Sequence, residues 1–149
     1  MDRIDWDAYF IEITKLVALR SGCIRRKVGA IITKNNRILS TGYNASPTGV
    51  IDCINKGYCL REKAEQGEDL HQCMSVHAEA NAITQCAKYG INIEGATLYV
   101  TTFCCINCMK LAINSGIKEI VYLDDYKNTE LSKQLAEESG VKIRKYLQK

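Results

Sequence analysis

Proline, histidine and tryptophan are scarce in this chain. Its 149 residues include one Pro, two His and one Trp, and no low-complexity tract interrupts them. Disordered segments have a different composition, with few apolar residues and a high net charge. No apolar run approaches the roughly 20 residues of a membrane-spanning helix, and residues 1–5 lack the apolar core of a secretory signal peptide. These absences exclude disordered, secreted and membrane-spanning classes. They predict a soluble protein of the cytoplasm, or of the host cytoplasm if the chain is viral.

An excess of charge of one sign is also absent. The chain has 20 basic and 17 acidic residues, which gives a formal charge of +3 at pH 7. A nucleic-acid-binding protein usually presents a clustered basic face. The balance found here suits a small anionic ligand instead, so neither nucleic acid nor a membrane is expected as a partner.

Cysteine, by contrast, is abundant, with eight residues. A disulfide framework is one interpretation, but nothing in the sequence points to secretion. In a reducing compartment, cysteines near histidines indicate a metal site more often than a disulfide. Both histidines, His71 and His77, lie close to cysteines, so the sequence favours metal binding.

Hydrophobic periodicity predicts helices that alternate with strands. A first helix is expected to begin after the cap residue Asp5 and to end near Ser21-Gly22. Its apolar positions at helical spacing are Tyr9, Ile13, Leu16 and Val17. Further helices are predicted over residues 77–89, 105–114 and 129–139, and strands over residues 28–33, 37–43, 96–100, 119–123 and 141–146. This order predicts one layered α/β domain over residues 1–149, in which a hairpin feeds a parallel region.

Residues 44–76 form a long segment without clear periodicity. The segment contains the only proline and three of the eight cysteines, namely Cys53, Cys59 and Cys73. A segment of this length is unusual in a compact domain and is normally either functional or braced. A bound metal ion would brace it.

Two short motifs carry the chemistry: His77-Ala78-Glu79 and Cys105-Ile106-Asn107-Cys108, each at the start of a predicted helix. Cys105 and Cys108 share a helix face, and a helix N-terminus lowers the pKa of a thiol. Two thiolates and one imidazole make three zinc ligands, which leaves a fourth position for water as in catalytic sites. Zinc lowers the pKa of that water, and Glu79 is placed to move its proton. His-x-Glu followed by Pro-Cys-x-x-Cys is the signature of zinc deaminases, in which the Glu is not a ligand.

These motifs resemble those of the cytidine and deoxycytidylate deaminase superfamily. Further similar segments are residues 28–32, 40–44, 93–101 and 115–118, so the resemblance covers residues 5–146. The phage and bacterial deoxycytidylate deaminases are the most similar subfamily, through Thr41-Gly42-Tyr43-Asn44 and the long cysteine-bearing loop. The resemblance implies an α/β, three-layer cytidine-deaminase-like fold with a mixed five-stranded sheet flanked by helices.

The implied reaction is hydrolysis of dCMP to dUMP and ammonia by zinc-activated water, with Glu79 as the proton shuttle. Its product would supply thymidylate synthesis. An alternative substrate is dCTP, alone or together with dCMP, because a phosphate-binding arginine serves either nucleotide. Cytidine and adenosine in tRNA are more distant alternatives. A non-catalytic, zinc-braced nucleotide sensor is a hypothesis of another class, and the presence of Glu79 argues against it.

Two positions depart from the family pattern. Cys104 stands where the family has Pro before the first motif cysteine. Only Cys105 has a cysteine three residues further on, so Cys105 and Cys108 are assigned as ligands, and Cys104 is expected to adopt the helix-start geometry that Pro favours. Ala45 stands where the subfamily has Gly after Tyr-Asn, and it is strained if that backbone requires a positive φ.

The resemblance also implies contacts to the nucleotide. Arg26, in a short basic run, is expected to bind the phosphate through its guanidinium. Asn44 is expected to contact the sugar rather than to serve only as a turn residue, and the backbone near Ala78 to hold the polar edge of the base. Tyr126 either reaches the phosphate or base or is an ordinary half-exposed tyrosine. Lys88 either contacts an effector or a neighbouring subunit or lies on a solvated face.

A second, structural zinc near the long loop is implied by some members of the subfamily. The similarity favours Cys23 and Cys53 as ligands, completed by His71 with Cys73 or Cys59. A closed tetrahedral site would stabilise the loop. The alternative is that these cysteines are reduced, partly buried thiols.

The resemblance further implies a homo-oligomer, with a hexamer typical of the deoxycytidylate type. It also implies activation by dCTP, inhibition by dTTP and Mg²⁺ bound with a nucleoside triphosphate effector.

Overall fold

The structure, a computed structural model, describes residues 2–148. Its helices are α1 (Trp6–Ala18), α2 (Cys53–Lys56), α3 (Ala78–Tyr89), α4 (Ile106–Asn114) and α5 (Glu130–Ser139), with a 3₁₀ turn at Leu70–Gln72. Its strands are β1 (Gly29–Lys34), β2 (Arg37–Tyr43), β3 (Thr97–Thr102), β4 (Glu119–Asp124) and β5 (Lys142–Lys145). No helix within this range is long and apolar enough to cross a bilayer.

The strands form one mixed sheet in the order β2-β1-β3-β4-β5. β1 is antiparallel to both β2 and β3, whereas β3, β4 and β5 are parallel. The β1–β2 hairpin turns at Asn35 and Asn36, whose φ angles of 51° and 58° match the type I′ turn that suits the twist of a hairpin. Both the predicted hairpin and the predicted mixed five-stranded sheet are confirmed.

Helices cover both faces of the sheet. Successive strand residues point to opposite faces, so Ile31, Tyr99 and Val121 lie on one side, where they pack against α1. The other side carries the larger cluster of buried residues, to which α3, α4 and α5 contribute Ala78, Ala82, Cys86, Met109, Ala112 and Ala136. The expected three-layer architecture is therefore present, and both motif-bearing helices lie on the same face.

Helix α3 packs directly on β2. A Cβ atom on Gly42 would collide with the main chain of Ala78 and Ala82, so this approach requires glycine. The Ser40 hydroxyl donates a hydrogen bond of 2.7 Å to the Ala82 carbonyl across the same contact. These contacts fix the first turn of α3 against the sheet.

Helix α1 begins as predicted but ends earlier. The carboxylate of Asp5 accepts a hydrogen bond of 2.8 Å from the backbone N–H of Ala8, which is the expected N-cap interaction. The helix ends at Ala18 rather than near Ser21-Gly22.

The buried face of α1 differs from the predicted one. Tyr9 and Leu16 are 41% and 65% exposed, so the prediction that they face the core is wrong. The buried residues are Phe10, Ile11, Thr14 and Ala18. Apolar periodicity misses this face because it includes the polar Thr14, whose hydroxyl is satisfied by the Phe10 carbonyl at 2.7 Å.

The long segment 44–76 is closed at its base. Ala45 and Val76 pair through two backbone hydrogen bonds of 3.3 and 2.8 Å. The φ angle of Ala45 does not lie in the left-handed region, so the strain anticipated for an alanine at this position does not arise.

Candidate active site

The N-terminal ends of α3 and α4 bring the two motifs together. His77 is the N-cap residue of α3 and Cys105 that of α4, both with extended backbone. The Nδ1 atom of His77 lies 3.4 Å from Cys105 Sγ and 3.5 Å from Cys108 Sγ. All three ligand atoms lie within 4.8 Å of one another.

This donor set fits a zinc ion. Zinc binds sulfur at about 2.3 Å and histidine nitrogen at about 2.0 Å, and at a tetrahedral angle these bonds place nitrogen and sulfur about 3.5 Å apart. The observed separations agree with that geometry. Three protein ligands also leave the fourth position that a catalytic zinc site needs for water or substrate.

The electrostatics of the three side chains are those of a thiolate–imidazolium site. Hydrogen bonds from Cys108 and His77 lower the pKa of Cys105 to about 4, against the opposing effect of burial. The hydrogen bond with Cys105 raises the pKa of His77 to about 9. The hydrogen bond with Cys105, followed by burial, raises the pKa of Cys108. A site that already stabilises one thiolate is prepared for a divalent cation, which would draw off the remaining protons.

Glu79 lies beside this group, in the first turn of α3, and is 4% exposed. Burial raises the pKa of its carboxyl group. A carboxyl group with a raised pKa holds its proton more readily than an exposed one and can both accept and release it during a reaction. The site therefore offers a general acid and base next to a metal-binding position.

Cys104 is fully buried in the core next to the ligands. Burial and the nearby carboxylate of Glu79 raise the pKa of its thiol well above the usual value, so Cys104 stays a neutral thiol. It takes the place of the expected proline without displacing the N-terminal end of α4.

A cavity of about 210 Å³ opens from this group. The residues predicted from the sequence to contact nucleotide all line it, namely Arg26, Asn44, Ala78 and Tyr126. Lys88 does not line it: the residue is exposed in the last turn of α3, where its Nζ atom lies 5.4 Å from the centre of the Tyr89 ring.

Asn44 is held firmly by its neighbours. Its side-chain oxygen accepts hydrogen bonds from the Ser21 hydroxyl at 2.5 Å and from the Val28 N–H at 2.9 Å. Its side-chain nitrogen donates to the Arg26 carbonyl at 2.8 Å. These bonds leave one amide hydrogen without a partner and fix Asn44 as part of the cavity wall.

The cavity wall around Arg26 is basic. The Arg26 guanidinium lies over the Tyr126 ring, 5.3 Å from its centre, a cation–π geometry. When the Gln66 carboxamide oxygen is turned towards Arg26, it accepts hydrogen bonds from both terminal nitrogens of the guanidinium. Sequence patterns gave no signal for Gln66, because its segment has no periodicity.

Four cysteines, Cys23, Cys53, Cys59 and Cys73, line the same cavity near the base of the long segment. Burial, followed by the nearby thiols of Cys59, Cys23 and Cys73, raises the pKa of Cys53. The backbone N–H groups of Arg25 and Arg61 donate to the sulfurs of Cys23 and Cys59, at 3.4 and 3.3 Å. All cysteines in the described range are free thiols.

His71 lies apart from this group. The residue is exposed on the 3₁₀ turn and does not line the cavity. The cavity lining includes Cys59 and Cys73 but not His71, and the ligand set of a second metal site stays a prediction.

A His-Cys-Cys group beside a buried carboxylate, at the end of a nucleotide-sized cavity, defines a metal-dependent hydrolytic deaminase site. Residues 4–124 match the family described as the cytidine and deoxycytidylate deaminase zinc-binding region. The chain belongs to the cytidine and deoxycytidylate deaminase family.

Individual relatives agree with this assignment. The chain is 42% identical over 143 residues to ComE operon protein 2 of Bacillus subtilis, which covers 96% of this chain and 72% of that protein. It is 40% identical over 129 residues to the deoxycytidylate deaminase of Mycobacterium phage D29, covering 82% of this chain and 97% of that enzyme. The crystal structure of dCMP deaminase from the cyanophage S-TIM5 in complex with dCMP and dUMP superposes with a TM-score of 0.77 at 27% identity, covering 98% of this chain and 100% of that one. Two yeast deoxycytidylate deaminases are longer, and the chain spans 46% and 45% of their length.

Proposed function

We propose that this protein hydrolyses dCMP to dUMP and ammonia. The observation that carries the proposal is that the group formed by His77, Cys105, Cys108 and the buried Glu79 opens onto the cavity that Arg26 also lines. The names of the phage D29 and S-TIM5 enzymes, and the dCMP and dUMP bound to the latter, support the same substrate.

His77, Cys105 and Cys108 would hold a zinc ion. When bound, such an ion supplies a water molecule whose pKa is lowered towards neutrality. Glu79 accepts the proton of the water as it adds to C4 of the base. Glu79 delivers that proton to N3 of the ring, then takes the remaining water proton from the new 4-hydroxyl group and passes it to the 4-amino group, which leaves as ammonia. The reaction balances as dCMP plus water giving dUMP plus ammonia.

The remaining cavity residues position the nucleotide. The Arg26 guanidinium binds the 5′-phosphate through charge-assisted hydrogen bonds, and Tyr126 holds the guanidinium from beneath. The free amide hydrogen of Asn44 is directed to the sugar, and the backbone of Ala78 to the polar edge of the base.

The four cavity cysteines, Cys23, Cys53, Cys59 and Cys73, form a second zinc site of structural type. Two observations support it: the four side chains share one cavity, and backbone N–H groups donate to two of the sulfurs. Such hydrogen bonds stabilise the thiolate form that zinc requires. A closed four-thiolate site would brace the long segment.

Other properties follow from family membership. We propose one catalytic domain over residues 1–149 that works in the cytoplasm and supplies dUMP for thymidylate synthesis. We also propose assembly into a homo-oligomer of the hexameric type, with dCTP and dTTP as effectors and Mg²⁺ bound with the triphosphate. Lys88, exposed at the end of α3, is proposed as an effector or subunit contact.

Ammonia release from dCMP tests the catalytic proposal. The purified chain is expected to deaminate dCMP, to lose activity after treatment with a chelator and to regain it when zinc is added back. Activity that survives exhaustive removal of metal would exclude a zinc-dependent reaction.

A further inference from the structure

A turn of the long segment closes the phosphate end of the cavity. Gln66 contacts the guanidinium of Arg26. The next residue, Gly67, lies against Tyr126, and a Cβ atom on it would be 3.6 Å from the tyrosine hydroxyl. The turn therefore touches both side chains that form the phosphate end, Arg26 and Tyr126.

Two arginines hold this turn in place. The Arg25 guanidinium donates to the carbonyls of Arg61 and Ala64, the latter at 2.5 Å. The Arg61 guanidinium donates to the carbonyl of Glu68 at 2.8 Å and to that of Glu65 at 3.4 Å. These hydrogen bonds hold the turn in one position as part of the cavity wall.

These bonds leave few donors for phosphate. Arg25, Arg26 and Arg61 are the arginines that line the cavity within residues 2–148. The guanidinium groups of two of them, Arg25 and Arg61, donate hydrogen bonds to main-chain carbonyls of the turn. The terminal nitrogens of Arg26 donate instead to a side chain, the carboxamide of Gln66, and one guanidinium matches one phosphate group.

We propose that the Gln66–Gly67 turn is the specificity determinant that limits the substrate to a single phosphate. This inference rests on the proposed function, because it takes Arg26 as the phosphate-binding residue. Gln66 caps the guanidinium, and Gly67 seals the gap to Tyr126. A nucleoside monophosphate ends at this wall, whereas a triphosphate requires the turn to move.

Steady-state kinetics on dCMP, dCTP with Mg²⁺, and deoxycytidine test the inference. The wild-type kcat/KM for dCTP is expected to be lower than that for dCMP by about 100-fold. Gln66→Ala removes the cap and is expected to raise the dCTP-to-dCMP ratio of kcat/KM by about tenfold. Arg25→Ala, which releases the turn, is expected to change the ratio in the same direction. Gln134→Ala, on the exposed surface of α5, is the matched control and should leave the ratio unchanged.

The ratio is measured on turnover, so binding of dCTP elsewhere on the protein does not mimic the result. The inference is overturned if the wild type turns over dCTP as well as dCMP, or if neither Gln66→Ala nor Arg25→Ala moves the ratio. A wild-type chain that releases ammonia from neither dCMP nor deoxycytidine contradicts the proposed function itself, which is a distinguishable result.

Discussion

His77 and Cys105 are each the N-cap residue of a helix, and their side chains approach to 3.4 Å between Nδ1 and Sγ. Neither side chain accepts a hydrogen bond from its own helix, although an N-cap side chain usually does and stabilises its helix by about 1 kcal/mol. The two caps are directed at a metal-binding position instead. A bound ion that links the two helices would offset the capping stabilisation that they lack.

Removal of metal is therefore expected to destabilise the fold as well as to stop catalysis. An ion present at about 1,000 times its dissociation constant stabilises the folded state by about 4 kcal/mol. Thermal unfolding with and without a chelator should show a lower Tm for the stripped protein. Cys105→Ser, which weakens the site, should show a smaller difference between the two conditions. An unchanged Tm in the stripped wild type would mean that no ion stabilises these helix starts.

Glu79→Gln is expected to reduce kcat for dCMP by about 10² to 10⁴-fold, because it removes the proton shuttle and keeps the shape of the side chain. Zinc content should remain at the wild-type level, since Glu79 is not among the three ligand residues. Kinetics and elemental analysis on the same sample separate the two effects. Loss of zinc together with activity would identify Glu79 as a ligand instead.

Arg26→Ala is expected to lower kcat/KM for dCMP by about 10 to 100-fold, which corresponds to the loss of a charge-assisted hydrogen bond. Activity on deoxycytidine, which has no phosphate, should change little. Lys27→Ala is the matched control, since Lys27 is an exposed neighbour that does not line the cavity. An equal loss on both substrates would show that Arg26 supports the fold rather than the phosphate.

Zinc stoichiometry separates the candidate ligands of the second site. Cys59→Ser is expected to lower zinc content from about two ions per chain to about one. His71→Ala should leave the content unchanged, because His71 is exposed and outside the cavity. The opposite pattern would restore His71 as a ligand. A wild-type content of one ion would mean that the four cysteines are ordinary thiols that bind no metal.

Asp7 links α1 to strands β3 and β5 and makes stability depend on pH. Its carboxylate accepts a hydrogen bond of 2.7 Å from Arg144 and another of 2.7 Å from the Tyr99 hydroxyl. The hydrogen bond with Arg144 is the main cause of the lowered pKa of Asp7. Because the folded pKa lies below the unfolded value of about 3.9, this stabilisation is present above that pH. It is lost as the pH falls through the folded pKa.

Asp7→Asn is accordingly expected to lower the free energy of unfolding by about 1–3 kcal/mol at pH 7. The difference from the wild type should shrink once the pH is below about 3.9. Urea unfolding at pH 7 and at a pH below about 3.9 measures this difference in the free energy of unfolding. Asp2→Asn, at an exposed position, serves as the control. A difference that is independent of pH would assign the loss to packing.

The sequence predicted the parts of this protein that depend on local pattern. Strand β2 has the predicted bounds, and Gly90 and Gly140 end α3 and α5 in the left-handed conformation. The ligand motif was readable because its residues occur at fixed spacing at helix starts. Hydrophobic periodicity did not predict the buried face of α1, because that face includes the polar Thr14, whose hydroxyl is hydrogen-bonded within its own helix.

The phosphate end of the cavity could not be predicted in the same way. Its wall depends on guanidinium groups that bind main-chain carbonyls, and any residue offers such a carbonyl. Arg25 contacts Ala64 across a long stretch of chain, and no spacing rule links the two. Which of Cys73 and His71 lines the cavity likewise depends on which side of a short turn faces inwards.

The pairing of Ala45 with Val76 closes the long loop just before the first metal-binding residue. The residues between them form a loop whose base is fixed by two backbone hydrogen bonds. This base ends immediately before His77, so the Gln66–Gly67 turn within the loop can be changed while His77 and the start of α3 keep their place. The proposed specificity turn can thus be engineered without rebuilding the metal-binding helix starts.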